Sequence, residues 1–343
     1  MDGFFVDYSG LKDLHQDYSA RQPDVNGFFR TFEELHPRPE DFPEAAGDSR
    51  LRIDEQSAQA VTAAGLLSAG HPGTTLKVQT MAYRYGQAED ATTGATTTLA
   101  EGPGAVPAVL AEGPGEDEQR PLAPRLGADM VQISALIGSV AGYYRGARLG
   151  GSALMSVGGL VGSGLVTLAA TIIVQDNVRD PDVWAQRGRA AAQLRDGLTE
   201  HADGVHHAAG VSGENLKGEA GDTFRGFVAT DVVAPNRTLA DAAGEISLYS
   251  LAAGDAQKTF NDRITVGSGL ATLASAPAAY LYPPLQVSVA ILWLMYVMHC
   301  RDDLRSGYAA AAGHLSRTGE LSTVNAKLRG GTGTGGAPAT VTI

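Results

Sequence analysis

Two runs of the chain carry no Asp, Glu, Lys or Arg: the 27 residues Leu149–Gln175, and the 37 residues Ile264–Cys300, bounded by Arg263 and Arg301. Segments this long either lie inside a protein core or meet a lipid phase, because a spanning helix needs about 20 predominantly apolar residues. In the first run and its lead-in, Gly138, Gly142, Gly146, Gly150, Gly158 and Gly162 share a four-residue register that is missed only at Leu154. Each interior glycine costs a helix in water about 1 kcal/mol relative to alanine. In a bilayer, the same small-residue face lets helices approach closely. The expectation is therefore a Gly-rich helix over 149–175 that spans a membrane; the alternative is a Gly-rich helix buried in a soluble bundle. Pro277, Pro283 and Pro284 divide the second run, which reads either as one span with a kinked lead-in or as a re-entrant hairpin turning at the prolines. Tyr280, Tyr282, Trp293 and Tyr296 are its candidate interfacial anchors.

The rest of the chain has helical periodicity, so the predicted class is all-α. Phe4, Tyr8, Leu11, Leu14 and Tyr18, then Phe28, Phe29, Phe32 and Leu35, form one apolar stripe. A proline-rich stretch over 37–43 ends it. A second stripe begins near Ser49, is expected to break at Gly70-His71-Pro72-Gly73, and resumes towards Tyr85, giving an N-terminal helical hairpin over 1–90. Residues 91–128, where LAEGPG occurs twice, are expected to be a disordered Thr/Gly/Pro linker, and 329–343 a disordered tail. Between the apolar segments (129–175 and 264–300), Trp184, Ala191, Leu198 and Val205 recur every seven residues, with Leu194 and His201 beside them. Leu239, Ile246, Ala253 and Phe260 do the same after a Gly-rich break, with Ala242, Tyr249 and Ala256 between them. Residues 181–262 are thus expected to close as a second antiparallel hairpin, a two-helix coiled stalk with Trp184 opposite Phe260. The region 129–328 combines this hairpin with the apolar segments, which should both emerge at its open end.

Composition narrows function further. A formal charge of −12 is unsuited to a phosphate backbone, so no nucleic-acid partner is expected. No GxSxG, HExxH or Walker-type pattern occurs, and the Gly-rich stretches lack the Lys-Ser/Thr that follows a phosphate loop. His206 and His207 are adjacent and point about 100° apart on a helix, which does not chelate one ion. Asp302 and Asp303, between Arg301 and Arg305, read as a charge cluster flanking the apolar run. The single Cys300 excludes an intrachain disulfide and reads as a buried thiol. No enzyme, cofactor or metal is expected. Asp2, Asp7 and Asp13 stand where a cleavable signal would be basic, so any export is expected to take another route.

At the Gly-rich break the sequence reads Leu216-Lys217-Gly218-Glu219-Ala220-Gly221-Asp222-Thr223-Phe224. This resembles the Trp-X-Gly turn of the small helical-hairpin proteins exported by type VII secretion systems, in their Leu-X-Gly form. Gly218, Ala220 and Phe224 fit that pattern, and Leu216 replaces the tryptophan. Tyr85-Gly86-Gln87-Ala88-Glu89 is similar to the YxxxD/E export signal of the same system, and it follows the first hairpin where the family carries it. The resemblance implies a type VII secretion substrate or associated protein, with Tyr85 and Glu89 as export signal and with secretion machinery or a small helical-hairpin protein as partner. The apolar segments add the lipid membrane as a partner, localisation at the cell membrane, a membrane-inserting or pore-forming role, and homo-oligomerisation. Two other readings stay open: an integral membrane scaffold that is not exported, and a soluble oligomer-forming structural protein whose apolar segments bury one another.

Overall fold

The computed structural model describes the backbone of residues 15–93, 153–214, 225–281 and 283–333, and side chains within 15–79, 163–210, 225–275 and 285–330. Among these residues every regular element is helical, as the periodicity implies. A short helix over 15–20 leads into α1 (Gln22–Leu35), whose Pro23 lies in the first turn, where its missing N–H breaks no helical bond. The proline-rich stretch forms two 3₁₀ turns, Pro39–Asp41 and Glu44–Ala46. Gly47, with φ of 48°, then turns the chain into α2 (Asp48–Thr93).

The break expected at residues 70–73 does not occur, because α2 runs straight through Pro72. A proline inside a helix costs about 3 kcal/mol. Contacts on the neighbouring residues offset that cost here. His71 is buried and stacks on Tyr18, with ring centroids 4.2 Å apart, and Ser68 bonds to Asn26 at 2.6 Å. Phe29 covers Gly65, so α1 and α2 pair antiparallel. Residues 91–93 of the expected linker and 329–333 of the expected tail belong to helices, and the remainder of both lies outside the described residues.

Helix α3 (Ala153–Asn177) is followed after three residues by α4 (Pro181–Glu214). A π-helical turn at Val228–Val233 then merges into α5 (Ala234–Leu281), which continues past Pro235. The wide turn before Pro235 accommodates its missing donor. The last helices are α6 (Pro283–Ala312) and α7 (Thr318–Gly333). Helices α4 and α5 are antiparallel: Gly188 meets Leu251, Gly244 meets Arg195, and Arg237 bonds to Asp203 at 2.9 Å. Every residue of both expected heptad series, from Trp184 to Val205 and from Leu239 to Phe260, is buried.

Two details of that expectation need correction. Trp184 lies against Gly254 and Tyr249 rather than Phe260. The register shifts because Gln257 and Asn261 donate to the carbonyls of Asn177 and Arg179, each at 2.8 Å, which draws α5 past the start of α4. Nor is the pair a bare stalk. Trp184 also meets Phe42 at 5.2 Å and Tyr308 at 6.1 Å, so the 3₁₀ turns and α6 close over the seam. Arg187 stacks on Trp184 at 4.7 Å and pairs with the equally buried Asp41 at 2.6 Å. Phe28 of α1 caps Gly197. Helix α7 is tied in through Glu245, which accepts from Ser316, Arg317 and Gln56. Burial alone would raise that carboxyl, but these hydrogen bonds outweigh burial and hold it below its ordinary range.

Leu198 is fully enclosed in this seam. Leu198→Ala is therefore expected to cost about 2–5 kcal/mol, the range for a buried leucine that leaves a cavity, measured by urea unfolding. A loss below about 1 kcal/mol would contradict the multi-helix packing and fit an exposed two-helix stalk.

Candidate functional site

One end of the bundle differs from the rest. Its base is a level at which three helices and a turn are tied together by polar contacts. Ala45 donates to Asn177 at the end of α3 at 2.8 Å, Arg301 of α6 pairs with Glu44 at 2.9 Å, and Arg263 of α5 pairs with Asp303 of α6. His299 lies 3.7 Å from the same Asp303 carboxylate. The charge cluster at 301–305 is thus part of a collar of pairs joining the helices.

Beyond the collar, the stretches 153–175 of α3, 264–281 of α5 and 283–300 of α6 contain no Asp, Glu, Lys or Arg. Helices α5 and α6 run antiparallel, Tyr296 donating to the carbonyl of Arg263 at 3.1 Å, and α3 packs against α6. Of the two geometries open for the second apolar run, the structure has a helical hairpin, turning between Leu281 and Pro283. Each limb of 18 residues rises roughly 27 Å at 1.5 Å per residue. Both apolar segments leave the bundle at the same end, as their positions about the second hairpin imply.

The surface of this lobe is apolar. Among the described residues fifteen large hydrophobic side chains are exposed, and eleven of them are here: three on α3, three on α5 and five on α6. Leu168, Leu270, Leu273 and Met295 are each more than half exposed. Its hydroxyls make few demands on solvent. Thr167, Thr171, Thr265 and Thr272 donate to carbonyls four residues back at 2.8–2.9 Å, and Ser268 and Ser275 to carbonyls three residues back. Such back-bonding satisfies a polar side chain inside its own helix, as a helix in an apolar medium requires.

The sequence-derived candidates fall as follows. Gly158 and Gly162 lie in α3, but their surroundings are outside the described residues, as are Gly138, Gly142, Gly146 and Gly150 altogether. Gly164, just off that register, faces open space. The glycine that does permit close packing is Gly267, where an added Cβ would fall 2.8 Å from Trp293 and would also strike Tyr296. Its only near neighbour of the same kind is Gly269, and no four-residue register marks it. Tyr85 and Glu89 lie in the C-terminal part of α2, with side chains outside the described residues. Leu216, Gly218 and Phe224 are likewise outside the described residues. Of the spanning helix expected over 149–175, the backbone of 153–175 is helical, while 149–152 and the side chains of 153–162 lie outside the described residues; among the described residues no helix is long and apolar enough to cross a membrane. Cys300 is buried. Among the described residues no group of His, Cys, Asp or Glu is arranged to hold a metal ion.

No family model matches the chain, and neither any curated protein nor any solved structure does.

Because Trp293 and Tyr296 stack over Gly267 with ring centroids 5.8 Å apart, Gly267→Leu is expected to pry the α5–α6 hairpin open. The cost should be about 1–3 kcal/mol, as for other overpacked sites. Tryptophan emission from Trp293 should shift to the red in a Trp184→Phe background; unchanged emission would refute the packing.

Proposed function

We propose that the protein is a non-enzymatic helical bundle whose α3–α5–α6 lobe inserts into a lipid membrane. The observation that carries this reading is the lobe's surface: charge-free limbs with eleven exposed apolar side chains, and hydroxyls bonded back into their own helices. Exposed apolar surface of this extent marks an interaction site. A lipid phase is favoured over a protein partner because all three helices contribute exposed side chains, so the surface is not confined to one facet. The polar collar at Glu44, Arg263, Arg301 and Asp303 would sit at the headgroups, with Trp293 and Tyr296 within two turns of it. Burying a large aliphatic side chain yields about 1.5–3 kcal/mol, so even partial immersion of the lobe exceeds the cost of desolvating its few unpaired polar atoms.

The test is flotation of the full chain with zwitterionic phosphatidylcholine vesicles. Leu270→Asp places a charge about 10 Å from the collar by helical rise, which should lower the bound fraction at least tenfold, since a carboxylate in a bilayer costs about 3 kcal/mol. Binding by parent and variant alike would refute insertion. A parent that stays off vesicles and forms a discrete oligomer in detergent-free buffer would instead favour the soluble assembly, in which copies of the lobe cover one another.

A second reading concerns export through a type VII secretion system. What supports it is the antiparallel α4–α5 pair, the Leu216-X-Gly218 sequence with Phe224 between the two helices along the chain, and the helical backbone at Tyr85 and Glu89. Residues four apart share a helix face, so one receptor could read both. Tyr85→Ala should abolish release into the medium of the native host while leaving the helical circular dichroism spectrum unchanged. Undiminished release would favour a membrane protein that stays in the producing cell.

A further inference from the structure

At the end of the bundle away from the lobe, two imidazoles are enclosed where three elements meet. His71 of α2 and His201 of α4 are both buried. His71 stacks on Tyr18 at 4.2 Å and 7° between planes, and His201 meets Phe28 of α1 edge-on at 5.7 Å. Neither ring nitrogen of His71 has a hydrogen-bond partner among the described residues, nor has Nδ1 of His201. A core histidine with a structural role ordinarily donates one N–H and accepts at the other nitrogen. His71 is instead packed as an apolar ring and His201 leaves one enclosed nitrogen unpaired, an arrangement that disfavours the charged form of both.

The charges around them do not compensate. From the N-terminal element, Arg21 lies over α4 at Gly204, one turn from His201, and is itself paired with Asp17 at 3.1 Å. Asp24 and Asp17 oppose Arg21 at His201, while the two histidines repel each other if both are charged. Helix α5 contributes Arg237, which is engaged by Asp203 on the outer side of α4. Tyr18 offers no anion, since burial pushes its phenol up to about 12.

We propose that the His71–His201 pair is an acid-sensitive latch: on acidification, residues 15–35 release from α2 and α4 while the α4–α5–α6 core holds. Release uncovers a second apolar surface. Phe28, Phe32 and Leu35 leave the core, the buried Val25 goes with them, and Ala202, Val205 and Val78 lose the cover of Tyr18. The latch does not depend on the lobe inserting into a membrane, because the two features occupy opposite ends of α4.

The sign follows from linkage. Desolvation, and then the charge of His201, push the His71 imidazole down to about 4 from an ordinary 6.5, and burial followed by Arg21 lowers His201. The docked state therefore takes up fewer protons than the released state between about pH 6.5 and 4, and docking weakens throughout that window as pH falls. His71 alone raises the opening constant by up to about tenfold per pH unit, and His201, lowered in the same direction, adds to it. Above pH 6.5 the latch is fully closed.

The experiment is hydrogen exchange on the full chain at pH 6.5, 5.8 and 5.0, corrected for intrinsic rates; this range lies above the titration of ordinary carboxylates. Protection at residues 22–35 should fall towards the acid end by about tenfold per pH unit or more, with residues 239–260 unaffected. In the variant combining His71→Phe with His201→Leu, protection at 22–35 should become independent of pH. A parental pH dependence in that variant would overturn the proposal, as would loss of protection throughout the parent protein at once. Should the variant not fold, histidine ring-proton NMR of the parent decides: one imidazole titrating well below 6 and a second below its ordinary value support the latch, and all titrating near 6.5 refute it.

Discussion

The bundle is organised by Trp184. Its indole is completely enclosed and touches one aromatic ring from each of three other elements: Phe42 from the 3₁₀ turns, Tyr249 from α5 and Tyr308 from α6. Arg187, one turn along α4, lies on the same indole and binds Asp41 in a setting shielded from water. A charge pair so buried is costly unless its geometry is good. Here it fixes the segment between α1 and α2 to α4, and that fixes where α2 can run. With this cluster set, the antiparallel seam of α4 and α5 has a defined register, and α6 has a groove to return along.

Much of this was legible in the sequence, for a simple reason. Trp184, Ala191, Leu198 and Val205 are seven apart, and so are Leu239, Ile246, Ala253 and Phe260, because each position of a helical seam recurs about every two turns. Periodicity reports that a face is buried, but not what buries it. The rings that complete the core come from Phe42 and Tyr308, more than 100 residues away from Trp184 in either direction along the chain. Register was illegible because it depends on Gln257 and Asn261 finding backbone carbonyls near the start of α4. Pro72 misled because its local cost is offset by packing of His71 on Tyr18, a contact that no local pattern encodes.

The apolar lobe was legible in part. Absence of charge over 264–300 identified it, and the prolines located the turn. Which glycine mattered was not recoverable from the repeat in the first run, because Gly267 is defined by the two rings laid over it. The back-bonded hydroxyls could have been anticipated from Thr167 with Ser163 and Thr272 with Ser268, each pair four apart. That spacing is common in any helix and gains meaning only where solvent-facing neighbours are apolar.

Helix α5 is a single rod of 48 residues, roughly 70 Å long at 1.5 Å per residue, and it belongs to both halves of the molecule. Its first half lines the seam with α4; its second half forms one limb of the lobe. No joint interrupts it at Arg263, so the lobe has no independent swivel. Under the proposed insertion, the depth to which the lobe sinks would set the height of the bundle above it, and the tilt of one would be the tilt of the other. The protein behaves as a post with its footing cast in one piece.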